Sequence, residues 1–484
     1  MTACTRSRPP ETRSVRGTEF GWPPGGSGAE GAPVVGTVGR ADGVWSHGRA
    51  PTTVGILLLI SLTAFEAMGV GTAMPVVVSD LGGIADYAWP FVVFLAAAVF
   101  GTAFGGWWCD ARGPRVPLVV APAVFGAGLL VAGVATTMAG LLSGRVLQGL
   151  GAGVQGVAVY VLVAAVYPAR LRPAVFGLIS SAWVLPSLAG PPLAGVVTER
   201  LSWHWVFLGL LPVVGLALVL VLPAVRRLGP PAPHPPSGGG GTVLAALGAA
   251  AGVAALSWAS EHLDTRGAAV GAVALVVLVP ALRRLLPRGT FAARPGVPAV
   301  VAARGLVAAA FFTVVSFLPL LMTATHGWSP ATAGIPLIVA SLGWSGAAAW
   351  QARHPDRDRS VMLRSGFAVI LAGQLGLLPV AAGVLPGWVA IGASGLAGLG
   401  MGVAFSAIAF LTLAHSAPAD VGSHSSAAQL LDQLATAAFV GLGGALLVLL
   451  SSPAVALPVL LAVVAVPALT GVAAASRTRL PARP

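Results

Sequence analysis

Thr53-Val-Gly-Ile-Leu-Leu-Leu-Ile-Ser-Leu-Thr-Ala-Phe-Glu66-Ala-Met-Gly-Val-Gly-Thr-Ala-Met-Pro-Val-Val-Val78 is an apolar run broken by one ionisable side chain. About twenty such residues, coiled as a helix, cross the hydrocarbon of a bilayer. Further runs of that kind begin near Tyr87, Val116, Ala139, Pro173 and His204. Arg226, Arg227 and a Pro/Gly-rich stretch follow, and then two shorter apolar segments at 242–259 and 267–285. Six more runs begin near Pro298, Ser329, Val361, Pro386, Ser425 and Pro453. The order six, two, six predicts an all-α integral membrane protein with fourteen transmembrane helices.

Composition agrees with that class. Of 484 residues 56% are hydrophobic and only 9% are charged, with mean hydropathy +0.88. A water-soluble chain of this length needs far more charge for its surface. The net charge of +12 comes wholly from arginine, with no lysine. The arginines lie between apolar runs and form no basic face interleaved with aromatics, so nucleic acid is excluded as a partner. Their placement instead follows membrane topology. Odd-to-even connections hold Arg200 and Arg266; the others hold Arg112, Arg115, Arg170, Arg172, Arg226, Arg227, Arg283, Arg284, Arg288, Arg294, Arg353, Arg357 and Arg359. Both termini are therefore expected in the cytoplasm, with the lipid bilayer as the chain's surroundings. Cys4 and Cys109 offer no disulfide framework.

The expected organisation is a disordered Arg/Pro/Gly-rich tail at 1–50, six helices in 51–225 and a linker at 226–241. Two inserted helices in 242–288, six more in 289–475 and a short tail at 476–484 follow. Three local patterns sharpen this. Gly106-Trp-Trp-Cys-Asp110-Ala-Arg-Gly113-Pro-Arg115 joins the second and third runs. Asp110 at a helix C-terminus faces the negative end of the dipole and needs a partner, for which Arg112, Arg115 or a neighbouring helix N-terminus is available. Gly113 permits the turn. In the fourth run Arg145, Gln148 and Gly149 share a face, and Gly149 with Gly153 makes a small-xxx-small packing surface. In the fifth run Pro186 precedes Gly190-Pro191-Pro192-Leu-Ala-Gly195, whose prolines remove backbone hydrogen bonds and whose glycines admit a neighbour. Ser202-Trp-His-Trp-Val-Phe207 then reads as an aromatic belt at the outer interface.

Together these residues resemble the major facilitator superfamily, in particular its fourteen-span drug:proton antiporters. The loop pattern matches at Gly106, Asp110, Gly113 and Arg115 but departs at Ala111 and Pro114, where the family is usually basic. The fourth-span pattern matches at Arg145, Gln148 and Gly149, and the antiporter pattern at Gly190, Pro191 and Gly195. The loop after Gly346 keeps positive charge and loses the Asp-x-x-Gly core, a weak echo that fits two six-span repeats. The resemblance implies the major facilitator fold, two six-helix bundles with two inserted central helices, and a substrate cavity between the halves.

Proton coupling needs a group that changes protonation inside the membrane. Glu66 lies about thirteen residues into the first span, roughly 20 Å of helix, near the midplane. Asp432 lies two turns into the thirteenth span beside Gln429 and Gln433, and Arg304 is at similar depth in the ninth. Their pairing is open, as is its purpose, gating or helix cohesion. Gln155 and Gln374 read as interhelical hydrogen-bonders. No metal-ligand cluster, phosphate loop or nucleophile triad is present, so no cofactor is expected beyond a proton gradient. The resulting expectation is a monomeric exporter of small, hydrophobic or cationic molecules in the cell membrane, exchanging them for protons. Glu66 takes the proton, Arg145 tunes a nearby acidic group and the kinked fifth span limits leakage. Uptake of a nutrient such as a sugar or organic anion, and a membrane enzyme or receptor, are the alternatives; the first sits poorly with the fifth-span pattern and the second lacks a polar cluster or soluble domain.

Overall fold

Hydrocarbon offers no hydrogen-bond partners, so each long apolar run closes its own backbone pairs as helix. The structure, a computed structural model, describes residues 43–46, 48–168, 171–228, 239–354, 357–417 and 420–479. Most of the 1–50 tail and of the 226–241 linker, and the end of the 476–484 tail, lie outside the described residues. The helices, in order, are α1 (Ala50–Leu81), α2 (Ile84–Arg112), α3 (Pro117–Gly133), α4 (Met138–Val166), α5 (Ala174–Arg200), α6 (His204–Arg227), α7 (Gly240–Glu261) and α8 (Thr265–Leu285). They continue with α9 (Val297–His326), α10 (Pro330–Ala352), α11 (Arg359–Ala381), α12 (Val389–His415), α13 (Val421–Leu450) and α14 (Pro453–Thr478).

Among the described residues thirteen of these are long and apolar enough to cross a membrane. The exception is α3, apolar but only 17 residues long, about 26 Å of helix and the lower edge of what spans. The two central segments, short in the sequence, fold as helices of 22 and 21 residues. For α8 the extra length is Thr265 and Arg266 at its start. Asp264 caps the start by accepting from Gly267 N–H at 2.7 Å, and Arg283 and Arg284 occupy the last turn, where positive charge suits the helix dipole.

The helices pack as a repeat. Helix α4 lies against α2 and α3, and α12 lies in the same way against α10 and α11; α1 packs on α6, and α9 on α14. Small residues set the register of these contacts. A Cβ on Gly149 would stand 2.8 Å from Ala97 Cβ, and one on Gly153 2.7 Å from Thr102 N, both on α2. On α12 a Cβ on Gly398 would stand 2.7 Å from Ala340 Cα, and one on Gly402 2.8 Å from Ala347 Cβ, both on α10. The glycine pairs have equal spacing and equal function, so Gly398 and Gly402 are the counterparts of Gly149 and Gly153. Gly153→Val forces bulk into a backbone contact and is expected to cost about 1–3 kcal/mol or more. Thermal unfolding of the purified protein checks this; an unchanged Tm contradicts the close packing.

Inserted helix α7 packs on both α2 and α13, at the seam between the first and last sets of six, while α8 packs on α7. The burial of the two extremes fits: 83% of the apolar window of α9 is buried but only 22% of that of α8. The connections at one end of the bundle carry most of the loop arginines; that end is called arginine-rich here and the other arginine-poor.

Helices α2, α6 and α10 are interrupted near their starts, at Tyr87–Ala88, Gly209–Leu210 and Gly334; α1 and α5 depart from regular geometry further in, each for a local reason. In α1 a π-helical turn, Glu66–Val70, separates two α-helical stretches, Ala50–Phe65 and Gly71–Leu81. In α5 the helix is interrupted at Ala182 and Trp183, just before the stretch Val184–Arg200. Pro186 explains the position: it cannot donate to the carbonyl of Ala182, four residues back. That carbonyl accepts instead from Ser61 Oγ of α1, at 3.0 Å. Pro191 and Pro192 sit within the continuous stretch Val184–Arg200, and the interruption lies ahead of Pro186.

Candidate functional site

Glu66 opens the π turn of α1, and Arg145 lies two turns into α4. Both are 2% exposed and they form an ion pair, Arg145 Nη1 donating to Glu66 Oε1. The same Nη1 donates to Gln148 Oε1 at 2.7 Å, three residues on along the same helix face, and Arg145 Nε donates to the Pro90 carbonyl at 2.9 Å. Gln148 passes the constraint outward, its Nε2 donating to the Gly128 carbonyl of α3 at 3.1 Å. The guanidinium also lies 4.5 Å over the Phe94 ring. Helices α1, α2, α3 and α4 thus converge on one charged pair. Glu66 Oε2 is buried and meets no hydrogen-bond partner, a costly state for a carboxylate oxygen.

In the second half the counterparts of Arg145 and Gln148 are Ser394 and Ala397, and Ala340 stands where Phe94 stands. The space that the guanidinium fills in the first half is there an apolar cavity, lined in part by Ala310, Phe311, Gln374, Ser394 and Ala397. The charged constellation belongs to one half alone.

The other sequence-marked residues fall as follows. Asp110 lies in the last turn of α2, Gly113 takes φ +74° after it, and Arg115 Nη2 reaches toward the Arg226 carbonyl at the end of α6, 3.5 Å away. A Cβ on Gly106 would meet open space, so packing does not require glycine there. Gly190 lies against Gly69 of the π turn, which joins the fifth-span pattern to the segment that carries Glu66. Pro191 touches Gly334, and a Cβ on Gly195 would stand 2.5 Å from Ala331 Cα, so the far half of α5 is pressed onto the start of α10. Gln155 donates to the Leu59 carbonyl at 3.0 Å and Gln374 to the Ala310 carbonyl at 2.8 Å. The aromatic belt is corrected: Trp203 and Phe207 are buried, with Trp203 Nε1 donating to Asp80 at 2.9 Å, and only Trp205 of the three is exposed.

Arg304 and Asp432 also pair, Nε to Oδ2 at 2.5 Å. Both belong to the last six helices, so the bond joins α9 to α13 within one set. It does not bridge the two sets. Arg304 Cζ lies 3.7 Å over the ring of Phe405 on α12.

This arrangement of helices and motifs has known relatives. The family description Major Facilitator Superfamily matches residues 56–440, most of the chain. The chain belongs to the major facilitator superfamily. It is 30% identical over 212 residues to the Acurin A biosynthesis cluster MFS-type transporter of Aspergillus aculeatus, covering 43% of this chain and 38% of that one. It is 30% identical over 169 residues to Multidrug resistance protein 3 of Bacillus subtilis, covering 35% and 33%. The matches thus span about a third of these curated relatives' length. Among solved structures, the POT family transporter PepTSo superposes with TM-score 0.66 at 14% identity, covering 88% of this chain and 98% of that chain. The human organic anion transporter MFSD10 gives 0.58 at 13% identity, covering 88% and 98%. At such identities the likeness is one of fold.

Contacts that sequence reasoning missed close the arginine-poor end. Glu199 Oε1 of α5 accepts from the Ala331 N–H at 2.8 Å, capping the first turn of α10. Tyr87 Oη donates to the Ser316 carbonyl of α9 at 2.7 Å, and Trp89 Nε1 to Glu261 of α7 at 3.0 Å. Only the dipolar start of α10, Ser329-Pro330, hinted at a capping partner; its identity is a matter of tertiary placement. Gly195→Val would drive a wedge into this closure at an expected cost of about 1–3 kcal/mol, a roughly 5- to 150-fold shift between two conformations. Labelling of a cysteine introduced at Ala331 should quicken accordingly, and unchanged labelling contradicts the closure.

Proposed function

We propose that the chain is a proton-coupled secondary exporter of small hydrophobic or cationic compounds, such as drugs or secreted metabolites, working by alternating access. The observation that carries this reading is the buried Glu66–Arg145–Gln148 cluster, with one Glu66 oxygen in the ion pair and the other without a partner. A carboxylate so held has two discrete states, paired as an anion or neutral after taking a proton. The first holds α1 to α4; the second releases Arg145 to Gln148 and the Pro90 carbonyl. Because Gly69 of the same π turn touches Gly190 of α5, a change at Glu66 reaches the helix that closes the arginine-poor end. A proton binding one conformation better than the other shifts the balance between them.

The arginine bias of the connections supports the orientation in this reading. The arginine-rich end faces the cytoplasm and holds both termini, the membrane is the cell membrane, and two six-helix halves rock about a central cavity with α7 and α8 beside the seam. The transporter works as a monomer, is not an enzyme, and uses no metal or organic cofactor beyond the proton gradient. The drug-resistance name of the Bacillus relative agrees with export.

Everted membrane vesicles test the proposal. Adding a transported compound to energised vesicles should release protons from the lumen, whereas symport would not. Absence of proton movement across a broad panel of lipophilic cations and neutral dyes overturns the coupling.

A further inference from the structure

The connection from α8 to α9, residues 286–296, is bonded to itself and positively charged. Thr290 N–H and Oγ1 both donate to the Pro287 carbonyl, at 3.2 and 2.7 Å, which turns the chain at Arg288 and Gly289. Ala293 N–H donates to the Thr290 carbonyl at 2.9 Å and Arg294 N–H to the Gly289 carbonyl at 3.1 Å. A Cβ on Gly289 would stand 2.5 Å from Arg294 Cδ, so the Arg294 side chain lies along the turn. The end of α14 docks on the same connection. Arg477 Nη1 donates to the Ala292 carbonyl at 2.6 Å, and Gly296 N–H donates to the Arg477 carbonyl at 3.3 Å. These bonds gather Arg288, Arg294 and Arg477 on one small surface, and all three residues are exposed.

Two features set this surface apart from an ordinary charged loop. No acidic residue occurs between Asp264 and Asp356 or after Asp432, and among the described residues no carboxylate pairs with any of the three arginines. Beside them Phe291 stands 71% exposed, while Leu286 and Thr290 of the same connection are buried. In water the ring gains nothing and the gathered arginines repel one another. At a bilayer surface both are satisfied. The ring enters the boundary of headgroups and acyl chains, and guanidinium forks take phosphate oxygens two at a time. The connection joins two membrane spans, and α8, with only 22% of its apolar window buried, leads into it from the periphery of the bundle. It therefore lies at headgroup depth.

We propose that Arg288, Arg294, Arg477 and Phe291 form a binding site for an anionic phospholipid, the arginines on its phosphate and the ring among its acyl chains. Each arginine at an anionic surface adds about fivefold in binding, and the ring adds about tenfold when it leaves water. Full-length protein in a neutral detergent would be titrated with phosphatidylglycerol, phosphatidylcholine and free glycerol phosphate, and bound molecules counted by native mass spectrometry. The expected result is saturable binding of phosphatidylglycerol, preferred over phosphatidylcholine by about a hundredfold. An equal concentration of glycerol phosphate, which has the anion without the chains, should not displace it.

Arg288→Gln/Arg294→Gln should weaken phosphatidylglycerol binding about 25-fold, and Phe291→Ser about tenfold. Arg226→Gln/Arg227→Gln removes the same charge from the end of α6 and should change it less than about twofold at physiological salt. Arg288 and Arg294 make no described side-chain hydrogen bond, whereas Arg477 holds the connection and is left in place. If the double variant fails to fold, Phe291→Ser tests the site by itself. The measurement needs no transport, so its outcome is separate from that of the proton coupling. No preference of wild type for phosphatidylglycerol, its displacement by glycerol phosphate, wild-type binding by either loop variant, or an equal loss in the α6 variant overturns the proposal.

Discussion

Arg145→Met is expected to lower the stability of the full chain by about 3–5 kcal/mol, the cost of stranding one partner of a buried ion pair. Glu66 is 2% exposed and its Oε2 already lacks a partner; without Arg145, Oε1 loses its described donor as well. Gln148 loses a donor at the same time but keeps its bond to the Gly128 carbonyl, so the damage centres on Glu66. Adding Glu66→Gln removes the stranded charge and should recover most of the loss, since a neutral pair of similar volume is tolerated where half an ion pair is not. Thermal unfolding of purified protein measures both. A single variant as stable as wild type, or a double variant no better than the single, contradicts the pairing.

Glu66→Gln alone should bring substrate-driven proton release in everted vesicles to the level of vesicles without the protein. The amide cannot carry the proton at neutral pH, so the two protonation states collapse into one and the exchange loses its ion. The variant strands the Arg145 charge and should lose some stability, but less than Arg145→Met, because the amide still offers an oxygen to Arg145 Nη1 and the Gln148 and Pro90 acceptors remain. A folded protein with no proton signal is the expected pair of results. Proton release at the wild-type rate would remove Glu66 from the mechanism.

Much of this architecture is legible in the sequence because hydrocarbon imposes a local rule. Each apolar run has to close its own backbone bonds, so the helix starts can be read without tertiary knowledge, as at Thr53 and Pro453. Ionisable residues inside such runs are rare enough to mark Glu66, Arg145, Arg304 and Asp432 directly. The pairing of Glu66 with Arg145 is a different matter: it joins positions 79 residues apart and depends on which helices are neighbours. The π turn after Glu66 is hidden for the same reason, since α and π turns accept the same apolar residues. Gly101 and Gly105 escaped notice beside the marked glycines of α4, although a Cβ on either would press on the α4 backbone, 2.6 Å from Leu150 O and 2.8 Å from Val154 Cα. The aromatic belt misled because alternation of Trp with His says nothing about which ring a neighbouring carboxylate, here Asp80, will draw inward.

Ser394 in the place of Arg145 carries a consequence for energy supply. With one half of the repeat devoid of ionisable groups at this position, the constellation loads a single proton in each turnover under the proposed coupling. Exchange of one proton for a monocation moves no net charge, and only the pH difference drives it. Exchange for an uncharged cargo moves one positive charge inward per cycle. Such a cycle also draws on the membrane voltage, worth about 2.3 kcal/mol per 100 mV, so export of a neutral compound should persist when the pH gradient alone is collapsed, whereas export of a monocation should stop.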